Sequence, residues 1–350
     1  MEQIKKFITC SIPITACNLR CHYCYITQMN LWKNKKTGFS YSAEHIGKSL
    51  TKKRLGGICM FNLCGDGETL LPQETVDIVY ALLQEGHFVT IITNATLTKR
   101  IEQLIAFPED FRERLLLKCS FQYFELKRLN LLGRFFDNIR KARAANISIT
   151  LELVANDEMI PDIPEIKRLS VENLGAPCHV VIPRVNNDPA LPVLTTLPED
   201  EFLKTWSVFD SPLFDFKREI WGINRRKFFC YAGAWGGLLD MGTGDFYQCY
   251  HAPCLQNLFK DTNSPLCEIP IGHECKMAHC YNGHAFLSFG CIPDMGKTPG
   301  YDEMRNRICP DGTQWLSERM KKFCATKLYD SNKRWGKLHQ RFFPPKIKND

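Results

Sequence analysis

Six short runs rich in Val, Ile, Leu and Phe, at residues 7–14, 57–63, 88–92, 115–121, 147–154 and 179–182, alternate with helix-like stretches at 43–53, 73–84, 99–105, 135–144 and 163–171. Strand then helix, repeated six times, predicts parallel strands joined by helical crossovers, in an open doubly wound sheet or a partial barrel. In either arrangement the carboxyl ends of the strands share one rim, and that rim is where sites are built. The chemically distinctive residues fall there: a cysteine loop after the first run, Gly65 to Glu68 after the second and Thr93 with Asn94 after the third. Ser120 and Gln122 lie at the fourth, Asn156 follows the fifth and Arg184 the sixth.

A Pro-rich stretch from Pro189 to Pro198 ends the alternation, so residues 1–190 are expected to form one unit and 191–225 a linker with a helix. Residues 226–310 are rich in Cys and Gly with little periodicity, the mark of a region ordered by metal or cluster crosslinks. Residues 311–350 form a basic tail, with ten Lys or Arg between 319 and 350 against Asp330 and Asp350. Residues 319–350 are thus +8 against +7 for the whole chain, so residues 1–318 stand at about −1, near neutral. A nucleic-acid partner is not expected from a basic tail alone. No apolar run approaches the roughly 18 residues of a membrane span, and no signal-peptide pattern is visible, so a cytoplasmic protein is expected. Seventeen cysteines, an odd number, then point to metal or cluster ligation more than to a disulfide scaffold.

Cys17-Asn-Leu-Arg-Cys21-His-Tyr-Cys24 has the spacing C-x3-C-x2-C and follows the first strand directly. Three thiolates on one short loop suit three irons of a cubane and leave the fourth iron open. A zinc site or three buried thiols are the alternatives. The loop resembles the signature of the radical S-adenosylmethionine (AdoMet) superfamily, and the resemblance covers at least residues 5–185. It implies a partial (β/α)6 TIM-like barrel with a smaller cysteine-rich C-terminal domain. It also implies a [4Fe–4S] cluster on Cys17, Cys21 and Cys24 that binds AdoMet and splits it to methionine and a 5′-deoxyadenosyl radical. Gly65-Asp66-Gly67-Glu68 is similar to the family's Gly-Gly-Glu motif, with Asp66 in place of the first of its two adjacent Gly residues. By that likeness Asp66, Gly67 and Glu68 hold the methionine amino group, Tyr23 presents backbone groups to adenine, and Asn94, Ser120 and Asn156 make further AdoMet contacts. Thr93-Asn94-Ala95 likewise resembles a Thr-Asn-Gly segment of many members.

Cys230, Gly244 and Cys249 fit the opening C-x(9–15)-G-x4-C of the twitch and SPASM extensions, which implies an auxiliary [4Fe–4S] cluster. Cys275 and Cys280 are taken as its other two ligands, with Cys254, Cys267 and Cys291 also in reach of that role and a zinc knuckle with nearby His as the alternative. The function implied is hydrogen abstraction from a C–H bond of a small molecule or ribosomal peptide, leading to oxidation, epimerisation or crosslinking, with a flavodoxin- or ferredoxin-type electron donor. An activating enzyme acting on a partner protein, and a non-catalytic iron–sulfur or zinc scaffold, are the other readings. No catalytic side chain is assigned, although Arg184, Glu125, Gln122 and Tyr123 are expected at the barrel mouth.

Overall fold

The computed structural model describes residues 2–33, 38–280 and 283–342. All six expected strands form: β1 (Lys6–Ile12), β2 (Cys59–Gly65), β3 (Phe88–Thr93), β4 (Leu115–Ser120), β5 (Ser148–Val154) and β6 (His179–Val181). Each pairs in parallel with the next, and the order β6-β5-β4-β3-β2-β1 is that of an open (β/α)6 half-barrel. The crossovers carry helices α1 (Ala43–Ser49), α2 (Gln73–Gln84), α3 (Thr98–Ile105), α4 (Leu132–Ala144) and α5 (Ile163–Leu174). The stretch expected to be helical over 43–53 breaks at Leu50, because the Thr51 side chain accepts from Arg54 N at 3.3 Å and starts a second short turn.

Strand alternation sorts the side chains onto two faces. Ile8, Cys10, Phe61, Leu63, Val89, Ile91, Leu117 and Cys119 face the helices in the larger core. Phe7, Met60, Phe88 and Leu116 face the concave side and share a second core with the C-terminal half. Helix α6 (Pro212–Ile220), a π-helical turn at Gly283–Leu287, α7 (Tyr301–Arg305) and α8 (Glu318–Cys324) fill that side.

The cysteine-rich C-terminal part is joined to the half-barrel through the sheet. The free edge of β1 pairs in parallel with β7 (Gly236–Asp240), which continues antiparallel into β8 (Asp245–Tyr247) and β9 (Cys254–Asn257), giving nine strands in one sheet. A six-strand half-barrel has an unpaired edge and an uncovered apolar face, and both are satisfied from this half of the chain. The basic segment from 311 packs back on the half-barrel through its first part. Phe323 stacks on Phe88 with centroids 3.7 Å apart, and Ile4 N donates to Thr326 Oγ1 at 3.1 Å. Residues 343–350 of that expected tail lie outside the described residues. No helix of the described residues is long and apolar enough to cross a membrane.

Replacing Phe323 with Ala removes a fully buried ring from under β3 and is expected to cost about 3–5 kcal/mol. Urea unfolding checks this; a loss below about 0.5 kcal/mol, the range of surface substitutions, would mean that the segment is an accessory.

Candidate functional site

The cysteine loop leaves β1 at Ile12 and is tied down at several points. Cys24 N donates to Cys21 O at 3.2 Å, Leu19 N to Cys17 Sγ at 3.4 Å and Arg20 N to Glu125 Oε2 at 2.9 Å. Cys17, Cys21 and Cys24 all line a cleft of about 90 Å³, together with Gly67, Glu68, Thr93, Asn94 and Ser120. Burial pushes the Cys17 thiol up to about 11 and raises the Cys21 and Cys24 thiols as well, with neighbouring thiolate charge adding to the rise at all but Cys24, where the Asp66 carboxylate adds to it. Three clustered, half-dry thiols are poor thiolates alone and are made so by a cation, which fits a donor set for iron.

The glycine-rich loop after β2 meets the cysteine loop backbone to backbone. A Cβ on Gly67 would lie 2.1 Å from Ala16 O, and Glu68 N donates to that same oxygen at 2.9 Å. Only glycine permits the approach. Glu68 is buried, its carboxylate accepting from Thr93 Oγ1 at 2.6 Å, Asn94 N at 2.8 Å and Leu70 N at 3.1 Å. Every one of those donors is neutral, so desolvation dominates and raises the carboxyl above its ordinary value. Asn94 Nδ2 reaches Asn18 Oδ1 at 2.8 Å and Cys17 Sγ at 3.7 Å, which joins the third strand end to the cysteine loop. Ala95, where the resemblance has glycine, takes φ +53°.

Ser120, Asn94, Gly67 and Glu68 thus gather around the three thiols, while other expected residues lie outside the cleft wall. Asp66 turns away and accepts from Tyr25 Oη at 2.6 Å, pinning the helical turn that follows Cys24. Asn156 caps the turn after β5 by accepting from Glu158 N at 2.9 Å and lies 3.3 Å from His22 Nε2. Tyr23 is buried, its hydroxyl donating to Gln122 Oε1 at 2.5 Å. Of the side chains expected at the mouth, Gln122 lines the cleft, but Glu125 pairs with Arg128 and Tyr123 donates to Asp162. Trp32 also lines it, with the Arg20 guanidinium 4.3 Å over its ring; no motif marks this residue in the sequence.

The C-terminal cysteines gather at a second place. Cys230, Cys249, Cys275 and Cys280 line one narrow, apolar-walled space of about 30 Å³. Buried Cys291 adds a fifth thiol, hydrogen-bonded to Cys230. Gly244 makes the turn at φ +88° that returns β8 along β7 toward Cys249. Burial and then the neighbouring Cys280 and Cys230 thiols raise Cys249. Cys254 and Cys267 do not line this space, and Cys254 is exposed. No three His, Cys, Asp or Glu side chains among the described residues are disposed to hold a single metal ion.

Between the two cysteine sets runs a layer of buried charge with no sequence signal. Lys118 stands two residues before Ser120 on the same strand face, 3.8 Å from Glu152 Oε1. Arg305 Nη1 donates to that same oxygen at 2.5 Å. Burial brings Lys118 down to about 8 and Lys217, on α6, down to about 7.

Residues 11–169 match the family model described as Radical SAM superfamily. No curated protein matches this sequence. Among solved structures the chain is similar to anSMEcpe with bound AdoMet, at 16% identity over 77% of this chain and 79% of that one, TM-score 0.51. It is similar to anSMEcpe with bound AdoMet and Cp18Cys peptide, at 15% identity over 77% and 81%, TM-score 0.50. SuiB of Streptococcus suis bound to precursor peptide SuiA matches at 15% identity over 75% of this chain and 64% of that one, TM-score 0.50. The chain thus spans less than two thirds of the length of SuiB in that structure. At these identities the likeness is one of fold.

Two substitutions probe the loop geometry. Gly67→Ala forces the two loops apart and is expected to cost about 1–3 kcal/mol, read as a fall in melting temperature. Ala95→Gly relieves a left-handed alanine and is expected to stabilise by about 0.5–1 kcal/mol by the same measurement.

Proposed function

We propose that this chain, a member of the radical SAM superfamily through its residues 11–169, holds a [4Fe–4S] cluster on Cys17, Cys21 and Cys24 and abstracts hydrogen from a C–H bond of a peptide. The observation that carries the reading is the meeting of three thiols, a buried carboxylate and Asn94 around one cleft at the carboxyl ends of four parallel strands. When bound, the cluster supplies the electron that splits AdoMet into methionine and a 5′-deoxyadenosyl radical.

The protein's own part is to bind, orient and exclude water. Glu68 has three neutral donors and no cation, so it is short of one positive charge. A methionine ammonium supplies that charge and restores the carboxylate. Asn94 holds the cysteine loop in register with it. Leu19, Ile92 and Trp32 give the cleft an apolar wall that keeps water from a reactive carbon centre. The backbone at Tyr23 and the Ser120 hydroxyl are assigned the remaining AdoMet contacts, with Asn156 and Asp66 fixing the loops around them.

Cys230, Cys249, Cys275 and Cys280 are assigned to an auxiliary [4Fe–4S] cluster, with Cys291 in place to substitute for any one of them. A peptide substrate is favoured by the fold likeness to anSMEcpe and SuiB, whose structures hold the peptides Cp18Cys and SuiA. None of the seventeen cysteines forms a disulfide, in keeping with a reducing cytoplasm, where a flavodoxin- or ferredoxin-type donor would supply the electron.

Anaerobic reconstitution with iron and sulfide tests the reading. About eight irons per chain are expected in the wild type, and about four in the Cys17→Ala/Cys21→Ala/Cys24→Ala variant. Release of 5′-deoxyadenosine under dithionite should be confined to the wild type. Zinc in place of iron, or undiminished release by the variant, would sink the proposal.

A further inference from the structure

The charged layer inside the half-barrel is out of balance. Glu152, its side chain 15% exposed, serves two buried cations at once, Arg305 at 2.5 Å and Lys118 at 3.8 Å. Lys217 is buried beside them, facing Arg305 and Glu152. Arg305 is fully buried, yet its Nε and Nη2 meet no acceptor in bonding geometry. The Tyr301 ring lies alongside, 4.9 Å from the guanidinium carbon, and its hydroxyl has no aligned partner either. His284 Nδ1 is likewise unsatisfied, as are Asn62 Oδ1 and Thr150 Oγ1 on the inward face of β2 and β5. Native cores satisfy nearly all such groups, so this layer calls for a further hydrogen-bonding partner.

We propose that this layer receives a carboxylate of the substrate, held by the free edge of Arg305 with Lys217 and His284. The inference rests on the radical reading of the cysteine cleft and names the chemical class of its substrate. Nε and Nη2 form one straight edge of the guanidinium, the edge on which a planar carboxylate lies with two parallel hydrogen bonds. A single negative charge also brings two carboxylates against Lys118, Lys217 and Arg305, which nearly closes the imbalance. Position agrees with chemistry. Lys118 is two residues from Ser120, which lines the AdoMet cleft, and α6 carrying Lys217 packs on the π-helical turn of His284, whose Phe286 and Leu287 line the space of the C-terminal cysteines. A substrate anchored here has its carbon skeleton between the two cysteine sets. An acidic residue or the C-terminus of a peptide meets the requirement.

The test uses the anaerobically reconstituted holoenzyme with AdoMet and three probes: N-acetylglutamate, its neutral isostere N-acetylglutamine, and inorganic phosphate. N-acetylglutamate is expected to raise the wild-type melting temperature in a saturable way, and N-acetylglutamine to leave it unchanged. Lys217→Met should fold, with a melting temperature equal to or above the wild type, since it replaces a buried charge with an apolar chain of similar length. Its half-saturation for N-acetylglutamate should rise about tenfold, the effect of losing one charge-assisted hydrogen bond. His284→Gln should weaken the probe in the same direction and serves if Lys217→Met fails to fold. No response to the carboxylate, an equal response in the variants, or a preference for phosphate would overturn the proposal. So would a fall in iron content on Lys217→Met, which would assign the cation to the cysteines. Absence of 5′-deoxyadenosine from the wild type in the same samples would instead count against the parent reading.

Discussion

Strand β1 is hydrogen-bonded along both edges, to β2 on one side and β7 on the other, and the rest of the structure depends on that double pairing. The cysteine loop springs from its carboxyl end, so the position of Cys17, Cys21 and Cys24 is set by a strand that cannot shift without breaking two ladders. Its inward face, through Phe7, belongs to the core built from the C-terminal half. Barrel and cysteine-rich region are therefore one cooperative body. That arrangement suits chemistry in which two cysteine sets must keep a constant separation.

The inside of the half-barrel is layered by physical character. Phe7, Met60, Phe88 and Leu116 make an apolar floor against Phe323 and Met320. Above it lie Asn62, Lys118, Glu152 and Arg305, all buried or nearly so. Above these come Ile92 and Ser120 at the cleft. Charge in such a place costs stability unless fully paired, and here the pairing is incomplete. The carboxylate of Glu68 shows the same economy on a smaller scale, being held by three neutral donors and by no cation among the described residues. Both imbalances lie where the proposed chemistry needs a ligand, one beside the thiols and one between the two cysteine sets.

Much of this was legible before folding was considered. The six strands and the helices between them follow from periodicity, and Gln73–Gln84 forms with the bounds that its pattern predicts. The gathering of Glu68, Asn94 and Ser120 around the cysteine loop follows from their common place after successive strands. Asp66 and Asn156 also follow strands, but position after a strand does not say which way a side chain turns. Asp66 found Tyr25 and Asn156 found a backbone N–H. Trp32 and the Lys118–Glu152–Arg305 layer carry no motif, since their partners lie up to 153 residues apart in sequence.

What the sequence by itself determined is therefore local: strands and helices through hydrophobic period, the three-thiol loop through spacing, and glycine at position 244 through the left-handed turn it makes. What only the tertiary structure decided is non-local. The C-terminal half joined the sheet at β1, Leu316 to Leu328 of the basic segment came to cover the barrel floor, and Cys291 came to rest against Cys230. A spacing pattern reports constraints within a few residues, whereas an open sheet edge and an uncovered concave face can be satisfied by any segment of suitable chemistry, and only packing selects which.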